Sequence, residues 1–248
     1  MIDSKLIKLV DENTADQEYL KFSNSNKKLD KIADWMDVRK SDIKTFNLTP
    51  EKTCPFAYDC QKLFECYAVI QERYRKSFKK NNKYNTDLLF KYHKSIDKMT
   101  DLIDSSLPKC KVLRIHSSGD FFNPRYLKSW INVARNNSKI IMYAYTTSLK
   151  YWVNNLDEIN SLENFKLIAS LGTNNQDHLI KENNLQFSKV VYSENESKQL
   201  GLKIDVDERL AISQSKPFAL KIHGMQPKNH ESHKMKRFNL VRSDLSLV

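Results

Sequence analysis

From Lys109 onward, short apolar runs alternate with longer amphipathic ones, and this alternation constrains the fold more than any other feature of the 248-residue chain. Apolar spacing predicts strands at Val112–His116, Ile140–Tyr145, Lys166–Leu171, Val190–Ser193 and Phe218–His223. Between them it predicts helices at Pro124–Asn136, Leu149–Leu156, Gln176–Asn183 and Glu194–Leu200. Asn123 supplies the cap of the first of these helices and Pro124 its first residue, and Gly201 stops the last. Repeated βα units joined by short connections predict a parallel sheet covered by helices. The expected fold is therefore α/β, an irregular or incomplete barrel, preceded by an N-terminal section of helices that carries cysteines.

Upstream, Lys31–Lys44 reads as an amphipathic helix through Ile32, Trp35, Met36 and Ile43. Thr45–Pro50 reads as an extended entry to a cysteine segment. Leu63–Ile103 is strongly helical, with a break expected at Asn81-Asn82. The expected organisation is residues 1–108 as the N-terminal section, 109–225 as the βα core and 226–248 as a basic tail, all in one folded unit.

Three of the four glycines (Gly119, Gly172 and Gly224) fall just past a predicted strand, among small polar residues or beside a histidine. In parallel α/β folds the ligand sits at the carboxyl ends of the strands. His116-Ser117-Ser118-Gly119-Asp120, Thr146-Thr147, Ser170 and His223 therefore read as a pocket floor. His116 and Asp120 are candidates for binding or protonating a substrate, because imidazole titrates near neutrality and a carboxylate can orient it. Ser118, Gly119, Thr146, Thr147, Ser170 and His223 are candidates for lining the pocket. Ordinary turn and capping chemistry is the alternative reading of the same serines, threonines and aspartate.

Three of the four cysteines, Cys54, Cys60 and Cys66, are spaced C-x5-C-x5-C. An odd set of thiols is no obvious disulfide framework. Thiolates are soft ligands that select zinc or iron–sulfur clusters. Three of them would leave one iron of a four-iron cluster open, or Cys110 or a histidine could complete a zinc site. Free cysteines packed as small apolar side chains are the remaining alternative.

Other chemistries are excluded by what is missing. With so little glycine there is no GxGxxG and no GxxxxGK[ST] phosphate loop. No HExxH, nucleophile elbow, or pair of histidines flanking one apolar residue occurs, and His230 and His233 sit in a basic tail with Lys228, Lys234, Lys236 and Arg237. The formal net charge is +11, concentrated in residues 51–150. Arg73, Arg75, Lys76, Lys79 and Lys80 are the candidate contacts to nucleic acid or another polyanion. No apolar run approaches the roughly 18 residues a membrane span needs, so no membrane partner is expected. Met1–Leu20 does not read as a signal peptide. The sequence does not set the oligomeric state.

Ser25-Asn26-Lys27-Lys28-Leu29, Phe46-Asn47-Leu48, Thr53-Cys54-Pro55, Cys66-Tyr67-Ala68, His116 through Phe122, Trp130 and Tyr143 through Leu149 follow one another in a specific order. In this the chain resembles, over residues 22–225, the gene product eighty-eight family of bacteriophages and related mobile elements. The resemblance carries no reaction with it, and it implies a protein in the cytoplasm of the host cell. Members often have further cysteines near the C-terminus; this chain has none after Cys110. The layout also resembles the radical-SAM barrels, in which a cysteine segment precedes βα units and a glycine–acid motif follows an early strand. That second likeness implies S-adenosylmethionine as a candidate cofactor, although C-x5-C-x5-C departs from the CxxxCxxC of those enzymes. Two functions are expected from these residues. One is a cluster- or zinc-dependent enzyme with its pocket at the strand ends. The other is a basic nucleic-acid-binding protein of phage replication or host takeover, with structural cysteines.

Overall fold

A computed structural model describes residues 18–24, 26–173, 175–222, 226, 228 and 231–241. Among the described residues one sheet of eight strands runs in the order Phe22–Asn24 (β1), Ile43–Phe46 (β2), Val112–Ile115 (β3), Ile141–Thr146 (β4), Phe165–Leu171 (β5), Phe187–Val191 (β6), Phe218–Lys221 (β8) and Lys203–Ile204 (β7). Every pairing is parallel except that of β1 with β2. β1 and β7 are the two edges and do not pair, so the sheet is open and the fold is an incomplete α/β barrel.

Because side chains alternate across each strand, the registers sort the sheet into two faces. One carries Phe46, Leu113, Ile115, Met142, Ala144, Leu167 and Ala169, and it packs on the helices in the main core. Those helices include Lys76–Lys91 (α4), Ile96–Ser106 (α5) and Pro124–Asn136 (α6). In α6, Tyr126, Leu127, Trp130, Ile131, Val133 and Ala134 are buried, at helical spacing. Each such large apolar group stabilises the fold by roughly 1.5–3 kcal/mol. Asn123 Oδ1 accepts from Tyr126 N at 2.8 Å, so the cap read from sequence is present.

The opposite face carries Ile43, Val112, Tyr143, Ile168 and Phe218. Its strand-start half is covered by Leu29 and Ile32 of the first helix (Asp30–Met36, α1) and its approach, and by Ala211 and Ile212 of Arg209–Ser213 (α11). The strand-end half, with Arg114, Tyr145, Ser170, Val190 and Leu220, faces cavities instead. Above those cavities lie Asp59–Lys62 (α2) and Tyr67–Tyr74 (α3), which carry the cysteine segment.

Several expectations are corrected. Lys31–Lys44 is not one helix: α1 ends at Met36, where Asp37 turns left-handed, and Ile43 begins β2. The helical stretch after Leu63 does not break at Asn81-Asn82. Asn82 is buried inside α4, where its Nδ2 donates to Glu72 at 2.9 Å, and the breaks fall at Arg75 and at residues 92–95. Leu149–Leu156 is two short helices, Leu149–Val153 (α7) and Leu156–Asn160 (α8). The sixth strand lies at Phe187–Val191, earlier than expected, because Ser193 caps the helix that follows it. β2 pairs with β3, so the N-terminal section supplies strands to the same sheet as the βα core.

Candidate functional site

The cysteine segment is strapped across the strand ends at two points. After β3, Ser118 O accepts from Leu48 N at 2.9 Å, and Ser118 Oγ donates to Leu48 O at 2.8 Å. Gly119 follows at φ +87°, and a Cβ there would lie 2.6 Å from Thr53 Oγ1 and 2.7 Å from Leu48 Cβ. Glycine is required on both counts. After β5, Gly172 O accepts from Tyr58 N at 3.3 Å and Asp59 N at 3.1 Å, and Ala57 bridges Thr173. The Asp177 carboxylate secures that turn, accepting from Gly172 N and Thr173 N.

Between the straps lies a cavity of about 200 Å³. Cys54, Cys60 and Cys66 line it from one side, and His116, Ser118, Gly119, Asp120, Thr146, Thr147 and Ser170 from the other. The three thiols and these strand-end residues, separated in sequence by up to 116 positions (54 to 170), are thus brought together. His223 and Gly224 lie outside the described residues, as does His230. Cys110 packs partly buried against the main core, away from this cavity.

The electrostatics of the wall are dominated by burial. Cys60 donates its S–H to Cys66, which raises Cys60 and lowers Cys66 to about 7; backbone N–H groups of Val69 and Ala68, in the first turn of α3, also favour the Cys66 thiolate. Burial pushes the Cys54 thiol up, and the neighbouring Asp120 charge adds to it. Burial likewise raises Asp120, while four hydrogen bonds pull the other way: Thr146 Oγ1 and Phe121 N donate to one oxygen, and Thr147 N and Oγ1 to the other. Burial lowers His116 to about 3, so its ring is neutral at neutral pH. Nε2 hydrogen-bonds Tyr126 Oη at 2.9 Å, Phe121 and Phe46 pack against the ring, and Nδ1 has no partner among the described residues. His116 adopts φ +61°. The two residues proposed from sequence as an acid–base pair thus turn to different partners.

Sequence reasoning missed a second group beside them. Glu208 is 1% exposed and its carboxylate meets Arg114 Nη1 at 3.1 Å, Lys28 Nζ at 2.5 Å and Tyr145 Oη at 2.8 Å. Burial would raise its pKa, but Arg114 and Lys28 outweigh that and hold it below the usual carboxylate range. The one available signal was a cation, Arg114, inside an otherwise apolar strand. This group borders a second cavity of about 530 Å³, which shares Phe64, Tyr67, Arg114, Ser117, Val190 and Leu220 with the first. Of the basic residues singled out from sequence, Arg73 is ion-paired with Glu65 and Arg75 reaches the second cavity. Lys76, Lys79 and Lys80 are exposed on α4.

Among the described residues no three His, Cys, Asp or Glu side chains are grouped so as to hold a single metal ion. No helix among them is long and apolar enough to cross a membrane. The family model described as Gene product 88 matches residues 11–239. Two relatives, each called Gene 88 protein, come from Mycobacterium phage L5 and Mycobacterium phage D29. Each is 31% identical over 103 residues, 38% of this chain and 42% of the relative. The chain thus spans less than half the length of the curated relatives it matches. No solved structure matches it.

Proposed function

This chain belongs to the Gene product 88 family, and from that premise we propose that it is an enzyme whose Cys54, Cys60 and Cys66 hold an iron–sulfur cluster at the strand-end mouth of the incomplete barrel. The observation that carries the reading is the convergence of three thiols on one cavity whose facing wall is built by the ends of β3, β4 and β5. The donor set fits: three soft ligands, with the Cys66 thiol already lowered toward its thiolate. Cys60 and Cys66, hydrogen-bonded to each other here, would separate on binding to reach different irons. Bound there, the cluster would supply one-electron chemistry and one iron open to a further ligand, for which S-adenosylmethionine is the first candidate.

The remaining work falls to the chain's own side chains. Asp120 ties the β3 end to the β4 end, and so fixes Thr146 and Thr147 against the cavity. His116, kept neutral and hydrogen-bonded to Tyr126, holds the Ser117–Gly119 turn that carries the wall. Both are positioning residues in this reading. Ser118, Gly119 and Ser170 shape the floor.

Anaerobic purification with iron, sulfide and zinc quantified alongside the absorption spectrum tests the proposal. About four iron and four sulfide per chain, with a broad band near ~400 nm lost in the Cys54→Ser, Cys60→Ser variant, is the expected result. Stoichiometric zinc, or no metal under conditions that protect clusters, overturns it. The second reading, a nucleic-acid-binding protein with structural cysteines, draws on the exposed Lys76, Lys79 and Lys80. It expects salt-dependent DNA or RNA binding that survives in the metal-free variant.

A further inference from the structure

We propose that the second cavity binds a nucleoside phosphate, the phosphate at its basic rim and the base among its aromatic side chains. The proposal rests on the reading above only in placing a substrate beside the thiol cavity. Its volume, about 530 Å³, is that of a small-molecule site. Two polar groups in the wall shared with the thiol cavity, Arg114 Nε and Ser117 Oγ, are buried and have no hydrogen-bond partner among the described residues. Unpartnered buried donors are costly, and a ligand oxygen placed between them relieves both.

The charge of the lining selects the ligand. Its two carboxylates are committed, Glu208 to Arg114, Lys28 and Tyr145, and Glu65 to Arg73. Lys221 is likewise paired, with Glu194. Lys27 and Arg75 also line the cavity, both exposed, and among the described residues neither forms an ion pair; Arg75 Nη1 only donates to Gln71 at 3.3 Å. An anion is therefore favoured, and phosphate matches the guanidinium fork. Phe64, Tyr67 and Phe78 line the same space and offer ring faces for a base, with Tyr67 37% exposed. The lysine face of α4 continues outward from Arg75, so the nucleotide is either free or the end of a strand.

Calorimetric titration of the full chain tests this with four probes: adenosine, adenosine monophosphate, inorganic phosphate and a six-nucleotide single-stranded DNA. The monophosphate is expected to bind at least ten-fold more tightly than either adenosine or inorganic phosphate. Lys27→Glu with Arg75→Glu, two surface changes, is expected to remove at least ten-fold of that affinity. Ser117→Ala is expected to remove several-fold without lowering the melting temperature. Ten-fold tighter binding of the oligonucleotide than of the monophosphate assigns the site to strand ends, and equal or weaker binding assigns it to free nucleotides. Equal affinity for adenosine and its monophosphate overturns the proposal, as does inorganic phosphate binding as well as the nucleotide, or indifference to the charge reversal. Metal content is measured on the same samples, so failure of the cluster reading and failure of this one are separately visible.

Discussion

Asp120 collects four donors on two oxygens, at 2.6–2.7 Å, and is buried. Asp120→Asn keeps the size but turns one oxygen into an NH2 facing groups that themselves donate. Leaving buried donors unmatched costs about 1–3 kcal/mol each, so the variant should lose about 2–3 kcal/mol in urea denaturation. Thr147→Ala should lose less, because Thr147 N still donates. A loss under about 0.5 kcal/mol for Asp120→Asn would show that the carboxylate is not the tie between the two strands. The polar run His116 through Asp120 was legible as a wall of the pocket, since glycine and small polar residues follow a strand there. The partners of its two titratable groups were not, because Tyr126 and Thr146 are assigned to them by packing rather than by spacing.

Ser193 illustrates the scale of the element. It opens Glu194–Gln199 (α10), where its Oγ accepts from Glu196 N at 3.1 Å and donates to Leu240 O. Glu196 reaches back to accept from Tyr192 N at 2.8 Å, so both sides of the cap are satisfied while buried. Ser193→Ala removes the cap and the bond to Leu240 O, and should cost about 1–2 kcal/mol by thermal or chemical denaturation. Ser193→Thr, which keeps the hydroxyl, should recover most of that; equal losses for the two would exclude the cap as the cause. A cap read as the tail of a strand explains why the sixth strand was expected too late. α6, by contrast, was read with its observed bounds, because Asn123, Pro124 and a regular apolar stripe agree. Composition predicts a break at Asn81-Asn82, and Asn85 lies one turn further on. In the fold each finds partners for its amide: Asn82 on Glu72, and Asn85 on Lys21 O and Asn47 O. Helix α4 therefore runs on through them.

Across the whole molecule, burial of His116 makes stability depend on pH. Its unfolded pKa is near 6.5 and its folded value about 3, so between those limits the unfolded chain binds a proton that the folded chain refuses. The stability it contributes is full above about pH 6.5 and is lost as the pH falls toward 3, with a slope approaching about 1.4 kcal/mol per pH unit. Asp120, whose folded pKa is raised, acts with the opposite sign: its contribution is lost as the pH rises through its folded value. Denaturation curves of the parent and His116→Asn between pH 4 and 6 separate the two, since asparagine tolerates φ +61°. The variant should lose a slope of about one proton, and identical slopes would refute the neutral, buried imidazole. The sequence by itself determined the βα alternation, the open parallel sheet and the candidate wall after each strand, because hydrophobic period and capping residues are local properties. Only the tertiary structure decided that three thiols share one cavity with three strand ends, that Arg114 and Glu208 form a buried ion pair across 94 positions, and that a second cavity lies beside them. Those contacts depend on which faces the parallel registers bring together and on what α1 and α11 leave uncovered, and no local pattern carries that information.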